Sequence, residues 1–308
     1  MLRAFFVGLS ENKPLRRFAE RSSLGQRISH RFVAGTEIAD AIHATEAVNR
    51  AGMSVSIDNL GENVTNPDEA RHSAQLYQQI LDAIAAQRLN ANVSLKLTHM
   101  GLDVDEKLAR EIVAQLVAKS AAMSPPGFVR VDMEGSPYTQ RTLDFVRELH
   151  AMPGNQNSVG TVIQAYLRRS ESDVEALLQE KIRIRLCKGA YKEPASIAFE
   201  EKSEVDANYI KLMKTLMKSG VYHGLATHDE NIIREAQAFA TRENIARDSF
   251  EFQMLYGIRR DLQQKLVRDG WRMRVYIPFG TEWYPYFMRR LGERPANALF
   301  IARNMFRS

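Results

Sequence analysis

Eight short apolar runs rich in β-branched residues recur along this chain, and each is followed by enough sequence for a helix. They read MSVSIDN at 53–59, NVSLKLT at 92–98, GFVRVDME at 127–134, SVGTVIQAY at 158–166, KIRIRLCKG at 181–189, HGLATHD at 223–229, FEFQMLYG at 250–257 and RMRVYIPFG at 272–280. The clearest helical patterns fall between them, at 67–87, 105–120, 194–220, 231–242 and 259–269. Strict alternation of strand and helix argues for parallel βα units, and eight such units close naturally into a barrel. An open doubly wound sheet is the competing architecture. Its dinucleotide-binding form carries a G-x-G-x-x-G turn after an early strand, and none occurs here. The expected fold is therefore α/β, a TIM-like (βα)8 barrel over 53–308 behind an N-terminal helical arm over 1–52. Within the arm, 36–52 reads as an amphipathic helix opened by Thr36 and closed by Gly52, and 11–25 as a more mixed helical stretch.

Several strands carry a polar side chain at every second residue: Ser94, Lys96 and Thr98; Arg130, Asp132 and Glu134; Arg183, Arg185 and Cys187; Glu251 and Gln253; Arg274 and Tyr276. Alternate residues of a strand face opposite sides, so the apolar set must meet the helices and the polar set must line the interior. Barrel interiors are usually filled with branched apolar groups, which makes this one unusually charged. Buried charges persist when they are paired or serve a ligand. Arg130, Arg183, Glu251 and Arg274 come early in their strands and are expected to pair with one another low in the barrel. Asp58 and Glu62, Lys96, Asp132 and Glu134, Gln164, Arg185 and Lys188, Thr227 and His228, Gln253 and Tyr276 fall at or just past the carboxyl ends, the rim on which barrel active sites are built.

Two anion-binding features stand out. Lys188-Gly189 follows the fifth strand as a cation on a turn suited to phosphate. After the eighth strand, a Phe279-Gly280 turn leads into a helix on which Tyr286, Arg289, Arg290 and Glu293 are neighbours at helical spacing. Adjacent guanidiniums repel unless an anion lies between them, and the pair suits a carboxylate or a phosphate; read alone, it also fits a solvated surface helix. A phosphate-bearing cofactor beside a carboxylate substrate is the reading that uses both features.

Other chemistries find less support. No His-x-His pair appears and the single cysteine, Cys187, leaves no cysteine-built metal site, so no metal is expected. The G-x-S-x-G nucleophile elbow is missing. Lys96 offers a Schiff-base alternative, a barrel lyase or aldolase, although a pairing with Asp132 on the adjacent strand would keep it charged. The 42 basic and 37 acidic residues are dispersed, so the net charge of +5 does not point to nucleic acid. No apolar run has the length of a membrane span, and the opening residues lack a convincing cleavage site. A cytoplasmic protein is expected, with peripheral contact at the inner membrane where its chemistry requires one.

Seven separated motifs together resemble the proline dehydrogenase family: SLKLT at 94–98, VDMEGSPYT at 131–139, IQAYLRRS at 163–170, RLCKGAYKEP at 185–194, ATHD at 226–229, EFQMLYG at 251–257 and YIPFGTEWYPYFMRRLGERPAN at 276–297. The resemblance is to the single-function bacterial type. It implies a noncovalent FAD with Gln164, Arg185 and Met133 at the flavin ring. Lys188, Gly189, Ala190, Thr227, His228 and Glu293 would hold the rest of the cofactor. Lys96, Arg289 and Arg290 would clamp the carboxylate of L-proline, with Asp132, Leu255, Tyr276 and Tyr286 shaping the pocket and Glu62 closing over it as partner to Arg289. Asp132 and Arg185 are the implied catalytic pair. The implied reaction is hydride transfer to FAD, giving pyrroline-5-carboxylate, with electrons passed to a membrane quinone and the product to a separate pyrroline-5-carboxylate dehydrogenase. Cys187 and Lys192 depart from residues common in the family, whereas Tyr276 is retained and implies proline rather than hydroxyproline as substrate.

Overall fold

The structure is a computed structural model that describes residues 31–293, with only the backbone described from 289 onward. Eight parallel strands close into a barrel in sequential order: β1 (Ser54–Asn59), β2 (Ala91–Leu95), β3 (Val129–Val131), β4 (Val159–Gln164), β5 (Arg183–Cys187), β6 (His223–Ala226), β7 (Phe250–Leu255) and β8 (Met273–Phe279). Closure is by β1 on β8, paired from Ser54↔Arg274 to Asn59↔Phe279. Seven of the eight runs read from the sequence contain one of these strands whole, and β2 begins one residue ahead of its run.

Among the described residues the helices are α1 (Ile38–Arg50), α2 (Pro67–Ala86), α3 (Glu106–Ala121), α4 (Ser136–Ala151), α5 (Ser170–Gln179), α6 (Lys202–Lys218), α7 (Glu230–Arg242), α8 (Arg260–Arg268) and α9 (Trp283–Glu293). Local chemistry sets their ends. Asn66 accepts the Glu69 amide at 3.0 Å ahead of Pro67 at the start of α2, and Asp105 accepts the Leu108 amide at 3.0 Å at the start of α3. Two expectations change. Glu37, not Thr36, precedes α1, because Asp40 reaches back to the amides of both residues at 3.0 Å. The helix anticipated over 194–220 begins only at Lys202, after a loop whose Ala198 forms an isolated bridge with Leu167 past β4. The helical stretch at 11–25, and most of the arm assigned to 1–52, lie outside the described residues.

The outward faces of the strands form the main core. Val55, Ile57, Val93, Leu95, Val129, Val131, Ile184, Phe252, Val275 and Ile277 pack against helix residues such as Ile80, Val113 and Leu216. Each fully buried aliphatic side chain of this kind contributes roughly 1.5–3 kcal/mol. Tyr77 of α2 is completely buried, and its hydroxyl binds across two strands: it donates to the Ser94 carbonyl at 2.7 Å and accepts the Asn59 amide at 3.2 Å. A second apolar cluster of Phe32, Val33, Leu60, Trp283, Tyr284, Tyr286 and Phe287 joins the segment before α1 to α9.

Candidate active site

Inside the barrel a connected network of polar residues is centred on Arg185. This side chain leaves β5 and crosses the interior with only 5% of its surface exposed. Its Nε donates to Gln253 Oε1 at 2.6 Å on β7, and Nη1 donates to Ser94 Oγ at 2.9 Å on β2 and to Asp132 Oδ1 at 2.7 Å just past β3. Nη2 donates to Ser56 Oγ at 3.0 Å on β1. The other oxygen of Asp132 accepts the Tyr276 hydroxyl at 2.9 Å, and the guanidinium lies 5.1 Å from the Tyr276 ring centre. Burial, followed by the charges of Asp132 and Asp58, pushes the Tyr276 hydroxyl well above its ordinary pKa, so it is held as a proton donor.

Lower in the barrel, Glu251 takes Arg274 Nε at 2.6 Å, the Tyr222 hydroxyl at 2.9 Å and Gln253 Nε2 at 2.6 Å. The expected pairing among early-strand charges is therefore realised between Glu251 and Arg274. Arg130 instead donates to the carbonyls of Thr161 at 2.7 Å and Arg183 at 2.6 Å, and the Arg183 guanidinium lies against the rings of Phe128 and Tyr222.

Lys96 does not pair with Asp132 as the sequence suggested. Arg185, arriving from across the barrel, occupies Asp132 with a short charged bond. The Lys96 ammonium lies 3.8 Å from Asp58 and 3.9 Å from Glu62 on the β1 side. Burial pulls the Lys96 pKa down, but the carboxylates of Asp58, Glu62 and Asp132 outweigh it and leave it above the ordinary lysine value. A lysine kept protonated in this way is a poor Schiff-base nucleophile. Asp58 itself is buried, with Oδ2 lacking a hydrogen-bond partner among the described residues. Burial raises it to about 6 against the opposing pull of Lys96.

The turn after β5 is ordered by Gln164, whose amide donates to the Glu134 carbonyl at 2.9 Å and accepts the Ala190 amide at 3.3 Å. Gly189 sits at φ +123°, and a Cβ there would come within 2.1 Å of the Tyr166 ring, so this turn needs glycine. Gly189 and Ala190 are exposed beside Lys188. The Lys188 ammonium meets Asp229 at 2.9 Å and Asp206 at 2.5 Å, two carboxylates the sequence had not linked to it. Thr227 Oγ1 accepts the Asp229 amide at 3.0 Å, and His228 Nε2 accepts the Leu255 amide at 2.9 Å. Met133 is buried past β3 and Leu255 half-buried at the end of β7. Tyr286 is buried in the cluster with Phe32 and Trp283. Arg289, Arg290 and Glu293 belong to the last turns of α9, and their side chains lie outside the described residues.

The rim residues of all eight strands thus share one mouth. Comparison with known proteins shows what the chain is similar to. The family profile described as proline dehydrogenase matches residues 41–303. Proline dehydrogenase 1 of Bacillus subtilis (strain 168) is 41% identical over 308 residues, covering 100% of both chains. Proline dehydrogenase of Deinococcus radiodurans is 40% identical over 283 residues, covering 91% of this chain and 90% of that one. Among solved structures, proline utilization A from Bdellovibrio bacteriovorus, inactivated by N-propargylglycine, superposes with a TM-score of 0.80 at 26% identity. That match covers 87% of this chain and 32% of the larger protein.

Proposed function

The chain belongs to the proline dehydrogenase family, and on that premise we propose that it oxidises L-proline to pyrroline-5-carboxylate with noncovalently held FAD, the electrons passing on to a membrane quinone. The observation that carries this reading is a pair of cations inside the barrel mouth: Arg185, buried and bonded to Asp132, and Lys96, kept protonated by Asp58 and Glu62. One suits negative charge developing on an acceptor within the barrel; the other suits a substrate carboxylate entering from above.

The donors present fit the cofactor. The Arg185 guanidinium, the Gln164 amide, the Thr227 hydroxyl and the backbone of exposed Gly189 beside Lys188 are the groups that ring carbonyls and a pyrophosphate accept from. Met133, Gln164 and Arg185 would lie along the ring, and Lys188, Gly189, Ala190, Thr227, His228 and Glu293 along the remainder. When bound, FAD supplies the two-electron acceptor for the hydride leaving the carbon beside the proline nitrogen.

The chain's own part is orientation and electrostatics. Arg289, Arg290 and Lys96 hold the substrate carboxylate, so that the reacting carbon is presented in one geometry. Asp132, Leu255, Tyr276 and Tyr286 shape the pocket, and Tyr276 keeps its proton through the bond to Asp132. Glu62 takes Arg289 as the site closes, which excludes water and gives each arginine an anion. Arg185 stabilises the negative charge that develops as the hydride moves. The product would pass to a separate pyrroline-5-carboxylate dehydrogenase, and the quinone would be met by peripheral contact at the inner membrane. No described helix is long and apolar enough to cross one.

The test is product identification. Protein supplied with FAD, L-proline and a soluble quinone should form pyrroline-5-carboxylate, trapped by an aromatic amine reagent, in step with quinone reduction. Quinone reduction without that product would reject the assignment.

A further inference from the structure

Gln253 lies between a group that only accepts hydrogen bonds and a group that only donates them. Its Nε2 reaches Glu251 Oε1 at 2.6 Å, and its Oε1 receives Arg185 Nε at 2.6 Å. A carboxylate offers no proton and a guanidinium no lone pair, so the amide fits one way round. Flipped, it would set its carbonyl against the Glu251 carboxylate and its NH2 against the arginine. Glu251 is held in place from below, by Arg274 Nε at 2.6 Å and the Tyr222 hydroxyl at 2.9 Å. Space for the amide comes from Gly224, which stands in register with both Arg185 and Glu251; a Cβ there would lie 2.2 Å from Gln253 Nε2.

We propose that Glu251 is a positioning residue for Arg185: by setting the direction of the Gln253 amide, the Glu251–Arg274 pair on the barrel floor fixes the plane of the guanidinium at the mouth. Gln253 holds the Nε edge of that plane, while Asp132 holds Nη1. With both edges held the guanidinium has one orientation; without Gln253 it keeps only the contacts at its Nη end, to Asp132, Ser94 and Ser56, and can tilt about that end. The proposal rests on the reading of Arg185 as the cation that faces the bound flavin.

The experiment measures the two-electron midpoint potential of the flavin in the FAD-loaded protein, together with kcat and KM for L-proline, in Glu251→Gln, Gln253→Met and Arg185→Met. Removing the Glu251 charge would, by through-space electrostatics alone, raise the potential. Displacing the Arg185 guanidinium lowers it, so the two effects have opposite signs. Gln253→Met changes no charge and leaves the Glu251–Arg274 pair in place, and it decides the matter should Glu251→Gln prove too unstable to purify. The expected result is a lower potential in all three variants, largest in Arg185→Met, with kcat down about tenfold in the two positioning variants and KM nearly unchanged. An unshifted or raised potential in Glu251→Gln and Gln253→Met, alongside a lowered one in Arg185→Met, overturns the proposal. An unshifted potential in Arg185→Met overturns the reading of Arg185 and the proposal with it.

Discussion

The hydroxyl of Tyr276 and the carboxylate of Asp132 are joined at 2.9 Å, through the oxygen that Arg185 leaves free. Asp132 therefore couples the tyrosine of β8 to the arginine of β5, two side chains that enter the mouth from opposite arcs of the barrel. Tyr276→Phe removes the donor and leaves one half-buried Asp132 oxygen with one fewer partner. The expected outcome is a loss of about tenfold in kcat/KM for L-proline, with the fold retained, read by steady-state kinetics and circular dichroism.

Gly160 tests the packing of the floor. A Cβ at this position would meet the Arg183 carbonyl at 2.3 Å, and Arg130 Nη1 and the Phe128 ring at 2.9 Å each. The first of these is backbone and cannot rotate away. Gly160→Ala should cost about 3 kcal/mol in chemical denaturation, near the upper end for overpacking, because β4 must move from β5 to admit the methyl group.

His223 makes stability depend on pH in a definite direction. Its Nδ1 accepts the Ile184 amide at 3.0 Å, while the Ser219 hydroxyl, already donating to the Leu216 carbonyl, must accept from Nε2. The ring is thus a neutral Nε2–H tautomer, and a proton on Nδ1 would face another donor. Burial first, and then Arg130 and Arg183, lower its pKa to about 3. The unfolded chain therefore takes up a proton that the fold refuses as pH drops below the ordinary histidine range. Stability is lost progressively from about pH 6.5, reaching about 4 kcal/mol from this group by about pH 3. His223→Gln should flatten this part of the pH profile of urea unfolding; an unchanged slope would contradict the assignment.

Asp58 works in the opposite sense. Its folded value of about 6 lies above that of the unfolded chain, because burial outweighs the attraction of Lys96. Its contribution is favourable at low pH and is lost as pH rises from about 4 through about 6. Asp58→Asn should remove this loss, so that between pH 5 and pH 8 the variant gains about 1–1.5 kcal/mol of stability relative to the parent. Thermal unfolding at the two pH values reads the difference.

The parts of this molecule visible in its sequence are those set by periodicity. Alternation over 92–98, 127–134 and 181–189 places Ser94, Asp132 and Arg185 inside, and the structure connects these three. Partner choice was less visible, because it depends on reach across a closed barrel. Register puts Lys96 beside Asp132, yet a guanidinium from two strands further on takes that carboxylate, and the lysine turns towards Asp58 and Glu62. Asp206 on α6 and Asp229 ahead of α7 converge on Lys188 only through the folding of the loop at 188–201, where no periodic pattern operates. Gln253 was legible as a rim residue, whereas the direction of its amide follows only from the two groups that flank it.

For the substrate clamp, Arg289→Met and Arg290→Met are each expected to raise KM for L-proline by about a hundredfold or more, since a charged bond to the carboxylate is lost. A smaller effect on kcat separates this from damage at Arg185. Initial-rate measurements over a wide range of proline concentrations check it.

The most direct measurement is a spectrum. Purified protein loaded with FAD should be yellow, and anaerobic addition of L-proline should bleach its long-wavelength flavin absorbance in proportion to the proline oxidised. A protein that takes up no FAD, or one whose bound flavin keeps its absorbance in the presence of saturating L-proline, would contradict the account.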